Sequence, residues 1–207
     1  MKFSLSSLCL GLALLGSTAH GGIVWLPNQN IPIPNTFEGV SIDLETGATS
    51  TDRDGLTGGD LNFILGGTGF TNDADRLAGT PSLQPVRTGT NNTDALRNLG
   101  VGTVVDQNTA SFSTGFGSSG DASSHFDTEF VSGTPGYIGF SLTLPNNTVA
   151  YGWASVTLQD NNGAGGVVHS WAFEDSGASI MVGQVPEPTA PLLSLIALAP
   201  LLWRRKR

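Results

Sequence analysis

GYIGFSLTLPNNTVAYGWASVTLQDNNGAGGVVHSWAFED, residues 136–175, decides the fold. Three apolar segments are separated by two clusters of turn residues. Successive strand side chains point to opposite faces. Ile138, Phe140, Leu142 and Leu144 therefore share one face of the first segment, and Tyr137, Gly139, Ser141 and Thr143 the other. In the second segment Ala150, Gly152, Ala154, Val156 and Leu158 oppose Val149, Tyr151, Trp153, Ser155 and Thr157. In the third, Val167, His169, Trp171 and Phe173 alternate with Val168, Ser170, Ala172 and Glu174. Residues 145–147 (PNN) make a tight turn and residues 160–166 (DNNGAGG) a hairpin loop. Alternating runs joined by such turns predict an antiparallel meander.

Upstream the same grammar continues. Further strands are expected at 21–26, 36–44, 61–65, 85–87, 102–106 and 110–114, with Gly, Asn, Asp, Ser and Thr between them. In IPIPN, residues 31–35, Pro32 and Pro34 cannot donate to a ladder, so an extended or turn segment is expected there. One helical turn is expected over 93–99, with Thr93 as cap and Gly100 as stop. SFSTGFGSSGDASS, residues 111–124, reads as a Gly/Ser-rich loop. Many short strands with regular punctuation predict an all-β chain, a single antiparallel β-sandwich of jelly-roll-like kind.

Both ends carry processing signals. Residues 1–21 hold one cation, Lys2, then an apolar stretch and small residues before a cleavage point, the pattern of a secretory signal peptide. The only cysteine, Cys9, lies inside it, so the mature chain has neither disulfide nor thiolate metal site. At the other end VPEPTAPLLSLIALAPLLWRRKR, residues 185–207, joins a Pro-Glu-Pro triplet to a short apolar run and four terminal cations. The run 190–203 covers about 21 Å as a helix, against a hydrocarbon core of about 30 Å. Pro191 and Pro200 interrupt it. It is a weak permanent anchor and a plausible transient one. Arg204, Arg205, Lys206 and Arg207 act as a basic stop on the cytoplasmic side. The exodomain between the signals is residues 22–184, a length suited to one domain.

Without its two ends the chain holds sixteen acids against four bases (Arg53, Arg76, Arg87, Arg97), a net charge of −12. Such a surface repels phosphate backbones and excludes nucleic acid as a partner. It suits solubility, with divalent cations as candidate companions.

Pro186, Glu187 and Pro188, followed by the apolar run and the basic end, resemble the C-terminal sorting signal of bacterial PEP-CTERM proteins. That tail has also been labelled an ice-binding-protein C-terminal motif, a label concerning the tail alone. The resemblance extends upstream through Gly139-Phe140, Tyr151-Gly152-Trp153-Ala154 and His169-Ser170-Trp171-Ala172-Phe173-Glu174, which look like the terminal module of such exoproteins. It implies export by the Sec machinery and signal peptidase. It also implies recognition of Pro186-Glu187-Pro188 by an exosortase, a membrane cysteine transpeptidase, in a bacterium that makes exopolysaccharide. The module brings fold and export with it, and no catalytic residues.

Chemistry is sparse elsewhere. In STDRDGLTGGDL, residues 50–61, Ser50, Asp52, Asp54 and Gly55 fit the first positions of an EF-hand loop, but Leu61 stands where a bidentate Glu is needed, with Asp60 beside it. Asp52, Asp54 and Asp60 are therefore weak calcium candidates, in a chain otherwise expected to hold no cofactor. GFGSSG, residues 115–120, matches G-x-G-x-x-G without the βαβ context that gives the motif meaning. His125 lies near Ser124, Asp127 and Glu129, with no G-x-S-x-G or H-E-x-x-H motif anywhere. No enzyme is expected. Tyr151, Trp153 and Trp171 are a candidate carbohydrate face, since aromatic platforms stack on sugars; the competing reading makes the same face a second core. The expected function is that of an exported surface or matrix protein, structural or adhesive, associated with exopolysaccharide and in contact with the membrane through its tail during sorting. A carbohydrate-binding module and a secreted hydrolase are the alternatives.

Overall fold

The three segments form an antiparallel meander, and other described segments pack on its two faces. The computed structural model describes residues 21–52, 56, 59–67, 69–71, 83–91, 94–109, 129–131, 133–158 and 165–187. The strands are β1 (Ile23–Leu26), β2 (Ile31–Ile33), β3 (Val40–Ile42), β4 (Thr49–Ser50), β5 (Leu61–Ile64), β6 (Gly69–Thr71), β7 (Leu83–Pro85), β8 (Val104–Val105), β9 (Pro135–Thr143), β10 (Val149–Thr157), β11 (Gly166–Glu174) and β12 (Ile180–Met181). The chain is all-β, and every strand pairing is antiparallel.

β1, β11, β10, β9 and β7 lie in that order in a six-stranded sheet, with β2 also on β11. β4, β3, β5 and β6 form a four-stranded sheet, and β8 pairs with β12 in a two-stranded ribbon. The hairpin of β9 and β10 runs in unbroken register from Val149 opposite Thr143 to Thr157 opposite Pro135. Its turn closes through Leu144 N–H to Thr148 O at 2.9 Å and Asn147 N–H to Leu144 O at 2.8 Å. Asn147 sits at φ 63°, a left-handed position that Asn tolerates better than most residues.

One face of the large sheet is apolar throughout. Ile138, Phe140, Leu142, Leu144, Ala150, Ala154, Val156 and Leu158 join Val40, Ile42, Leu61, Phe63 and Phe70 of the four-stranded sheet in a single buried cluster. The opposite face buries Tyr151, Trp153 and Ala172 with Val86, Leu99, Val105, Ile180 and Val182. The large sheet is therefore covered on both sides. The absence of disulfides fits this, because burial of apolar surface on two faces is the main stabilising term available.

Gly152 is placed by the first of these cores. A β-carbon there would stand 2.3 Å from Phe140 Cζ and 2.7 Å from Ala172 O. The Phe140 ring uses the space that any side chain would fill. Gly39, at φ 62°, is bound more tightly still, because its β-carbon would fall 1.8 Å from Phe63 O.

Three expectations are corrected. First, β11 does not alternate throughout. Ser155 opposes Ser170 while Val156 opposes Val168, so His169 is an extra, bulged residue. Val168 consequently joins Trp171 and Phe173 in the main core instead of lying opposite them. The edge is broken at the same level. β1 pairs with residues 171–174 and β2 with residues 166–168, and between them Gln29 N–H donates to His169 O at 2.8 Å. Pro32 takes its place on this outer edge, opposite Val167. Second, the stretch expected to make a helical turn is extended from Asp94 onward. Leu96 bridges Arg87, Arg97 N–H reaches Val86 O at 3.0 Å, and Leu99 N–H reaches Tyr137 O at 2.9 Å. Packing of Leu96 and Leu99 into two different cores outweighs a weak local helical preference. Third, only residues 40–42 of the strand expected at 36–44 are in the ladder. The strand expected at 110–114 lies outside the described residues.

Candidate functional site

The aromatic residues of the meander do not make an open platform. Tyr151 and Trp153 share a face as the alternation requires, but β8 and β12 cover it, and Trp153 is 3% exposed. Tyr137 meets Trp153 edge to face, with ring centroids 5.8 Å apart at 73°. Trp171 points the other way, into the main core, because the His169 bulge and the period of two put it there. The candidate carbohydrate face of Tyr151, Trp153 and Trp171 is thus corrected. Its members are buried on opposite sides of one sheet, and a sugar ring has no access to them.

Their polar groups are used inside the protein. Trp171 Nε1 donates to Leu44 O at 2.8 Å, tying the large sheet to the turn beyond β3. Leu44 is held from its other side as well, since its N–H donates to Asp60 Oδ2 at 2.7 Å. Glu174 ends β11 by accepting from Ser176 Oγ at 2.7 Å, Ala178 N–H at 2.7 Å and Ser176 N–H at 3.0 Å. His169 Nε2 lies 2.7 Å from Thr157 Oγ1. Each of these residues has a structural task.

Trp153 leads to the feature with most functional meaning. Its Nε1 donates to Gln184 O at 3.1 Å. Gln184 N–H donates to Met181 O at 2.8 Å, and Met181 N–H returns a hydrogen bond to Gln184 Oε1 at 3.0 Å. Val182 is buried beneath this turn, and Gly102 N–H donates to its carbonyl at 2.9 Å. Beyond Gln184 the chain turns outward, and Val185, Pro186 and Glu187 are exposed. Pro188 and the basic stop Arg204, Arg205, Lys206 and Arg207 lie outside the described residues, as does most of the signal peptide. The indole of Trp153 clamps the turn over residues 181–184. Trp153→Phe is expected to keep the packing and lose this one hydrogen bond, lowering stability by about 0.5–1.5 kcal/mol. Faster amide exchange at residues 182–184 than in the unsubstituted protein, with exchange in β10 unchanged, would report it.

Of the weak calcium candidates, Asp52 and Asp60 are among the described residues. Asp60 is buried and serves Leu44. Asp52 N–H donates to Ser50 Oγ at 3.0 Å, and that hydroxyl donates to Asp52 O at 2.8 Å, an internal turn. Asp54 lies outside the described residues. Among the described residues no three His, Cys, Asp or Glu side chains gather into a metal-holding group. Glu129 hydrogen-bonds Asn98 through both a carboxylate oxygen and its carbonyl, each at 2.9 Å. Ser124, His125, Asp127 and the segment GFGSSG lie outside the described residues.

One buried charge went unread in the sequence. Arg87 is 0% exposed, with Nη1 donating to Asp94 O at 2.9 Å and its guanidinium carbon 6.0 Å from the centre of the Phe70 ring. Its Nε and Nη2 have no hydrogen-bond partner among the described residues. Burial lowers its pKa to about 10, against a smaller opposing pull from the Asp94 charge. The only sequence signal was an arginine following Val86 in an otherwise uncharged strand.

Comparison of this chain with protein-family models, with curated proteins and with solved structures returns no match.

Proposed function

We propose that this chain is an exported bacterial surface or extracellular-matrix protein. Its tail is read by an exosortase after Sec export and signal-peptide removal, and its domain has a structural or adhesive role beside exopolysaccharide. The domain, residues 22–184, is a single β-sandwich of jelly-roll-like kind on this reading, and it is not an enzyme. The protein is membrane-associated while the tail is engaged, then resides at the cell surface or outside the cell.

The observation that supports this most is the position of the boundary. Among the described residues the first strand begins at Ile23, just after the signal-like segment, and the last hydrogen-bonded turn closes at Gln184, just before the Pro-Glu-Pro motif. Pro186 and Glu187 are exposed and outside every strand, as a peptide to be gripped by another protein should be. The hydrogen bonds that hold Gln184, from Trp153 Nε1 and to Met181, all lie before the motif. A second support is the use of the motif residues. Gly152, Trp153, Trp171 and Glu174 meet packing and hydrogen-bonding demands inside the domain, as befits a scaffold.

Peptide mass spectrometry of the C-terminus, on membrane and surface fractions of the native cell, tests the reading. A terminus within residues 186–188 is the expected result. An intact Arg-Arg-Lys-Arg end on the surface-exposed protein would overturn sorting by cleavage.

A further inference from the structure

The ribbon of β8 and β12 is the part of the domain nearest the exit of the tail. Val104 and Met181 are cross-strand partners, 49% and 46% exposed, on the side facing away from the core. Their neighbours Val105 and Ile180 face inward and are buried. Val101, 72% exposed, lies beside Gly183, where a β-carbon would meet its Cγ1 at 3.3 Å. Of the eight exposed large hydrophobic side chains among the described residues, four belong to this corner: Val101, Val104, Met181 and Val185.

The charge pattern is as uneven as the apolar one. Residues 100–105 (GVGTVV) and 178–186 (ASIMVGQVP) contain no ionisable side chain. They belong to a domain whose net charge is −12. An acidic body is repelled by an anionic bilayer, and the residues of these two segments add no charge of their own to that repulsion. Contiguous exposed apolar surface on an otherwise polar domain marks an interaction site.

Chain length fixes what this corner must meet. Gln184 is clamped by Trp153. Ala190, the first residue of the apolar run, is six residues further on. Six extended residues reach at most about 20 Å. With the run 190–203 in a bilayer, the ribbon is therefore held within about 20 Å of the lipid surface. We propose that the outer face of the ribbon, Val101, Val104 and Met181, is a lipid-contact surface that seats the domain on the bilayer while the tail is inserted. This rests on the reading of 190–203 as a membrane segment.

The test uses the full chain carrying Cys9→Ser, with a single cysteine introduced at one of three places and labelled with an environment-sensitive fluorophore. Val104→Cys reports the ribbon. Glu45→Cys reports the exposed turn beyond β3, on the side of the large sheet opposite the ribbon. Leu202→Cys reports the tail. Each protein is reconstituted into phosphatidylethanolamine–phosphatidylglycerol vesicles containing brominated acyl chains. Unchanged urea midpoints show that the labelled chains are folded. The expected result is quenching at residue 104 several-fold stronger than at residue 45, together with strong quenching at residue 202. Quenching at 202 without quenching at 104 overturns the lipid-contact surface and leaves the tail reading intact. Absence of quenching at 202 overturns the tail reading and the inference with it. A label at 104 that is shielded without lipid quenching, and shows energy transfer rising with protein density, assigns the surface to a second copy of the chain and overturns the lipid assignment.

Discussion

Trp171→Ala is expected to lower the stability of the domain by about 3–5 kcal/mol, the range found when a large buried aromatic side chain is removed from a core. Trp171 is wholly buried, between Ala154 on β10 and Leu26 on β1 in the register of the sheet. Its indole reaches the other sheet, where Nε1 meets Leu44 O. Truncation removes both the packing and the hydrogen bond, and it leaves a buried carbonyl without its donor. A whole domain is ordinarily stable by only about 5–15 kcal/mol, so the loss is a large fraction of the total. Urea unfolding followed by far-ultraviolet circular dichroism measures it. Trp171→Phe separates the two contributions. It keeps most of the ring volume and loses the hydrogen bond, for an expected loss of about 1–3 kcal/mol from the unpaired carbonyl. A loss below 1 kcal/mol for Trp171→Ala would mean that the two sheets are not joined through this side chain.

The reason Trp171 occupies this place was only half legible in the sequence. The meander was readable because the alternation in 136–144 and 149–158 is strict and both turns carry their own chemistry. Those residues fall on the predicted faces. In the third segment a simple period of two put Val167, His169, Trp171 and Phe173 together, whereas the core takes Val168, Trp171 and Phe173. The bulge at His169 is set by the broken edge of β1 and β2, a partner far away in sequence, and no local pattern announces it. The extended stretch ending at Leu99 was missed for a similar reason. Its ladder bonds go to Val86 and Tyr137, while a helical turn was the best local alternative. The aromatic face shows the same limit at the level of function. Period two correctly united Tyr151 and Trp153, but whether that face stacks on a sugar or on β8 and β12 depends on segments whose own patterns are weak. Gln184, by contrast, closes a turn just before the Pro-Glu-Pro motif, whose prolines cannot donate to a ladder.

Arg87→Met is expected to have the opposite sign and to raise stability by about 1–4 kcal/mol, the range seen when buried ionic groups give way to apolar side chains of similar volume. The guanidinium keeps one hydrogen bond, to Asp94 O, and lies over the Phe70 ring. Its Nε and Nη2 donors, the edge that would grip a carboxylate with two parallel bonds, are unpartnered among the described residues. Desolvation of the charge is therefore only partly offset. The pKa gives the pH window. The folded value of about 10 lies below the ordinary guanidinium value of the unfolded chain. Between these two pH values the unfolded chain binds more protons than the folded one, so stability rises with pH only there. Below pH 10 the guanidinium is charged in both states and its penalty is complete. The gain from Arg87→Met should accordingly be flat across neutral pH and shrink above about pH 10, as urea midpoints taken at several pH values would show. Arg87→Lys keeps the charge and loses the fork, so it should not share the gain. A loss of stability in Arg87→Met would mean that an anion meets the open edge of the guanidinium in solution, and the buried arginine would then be a paired group whose partner is the next thing to find.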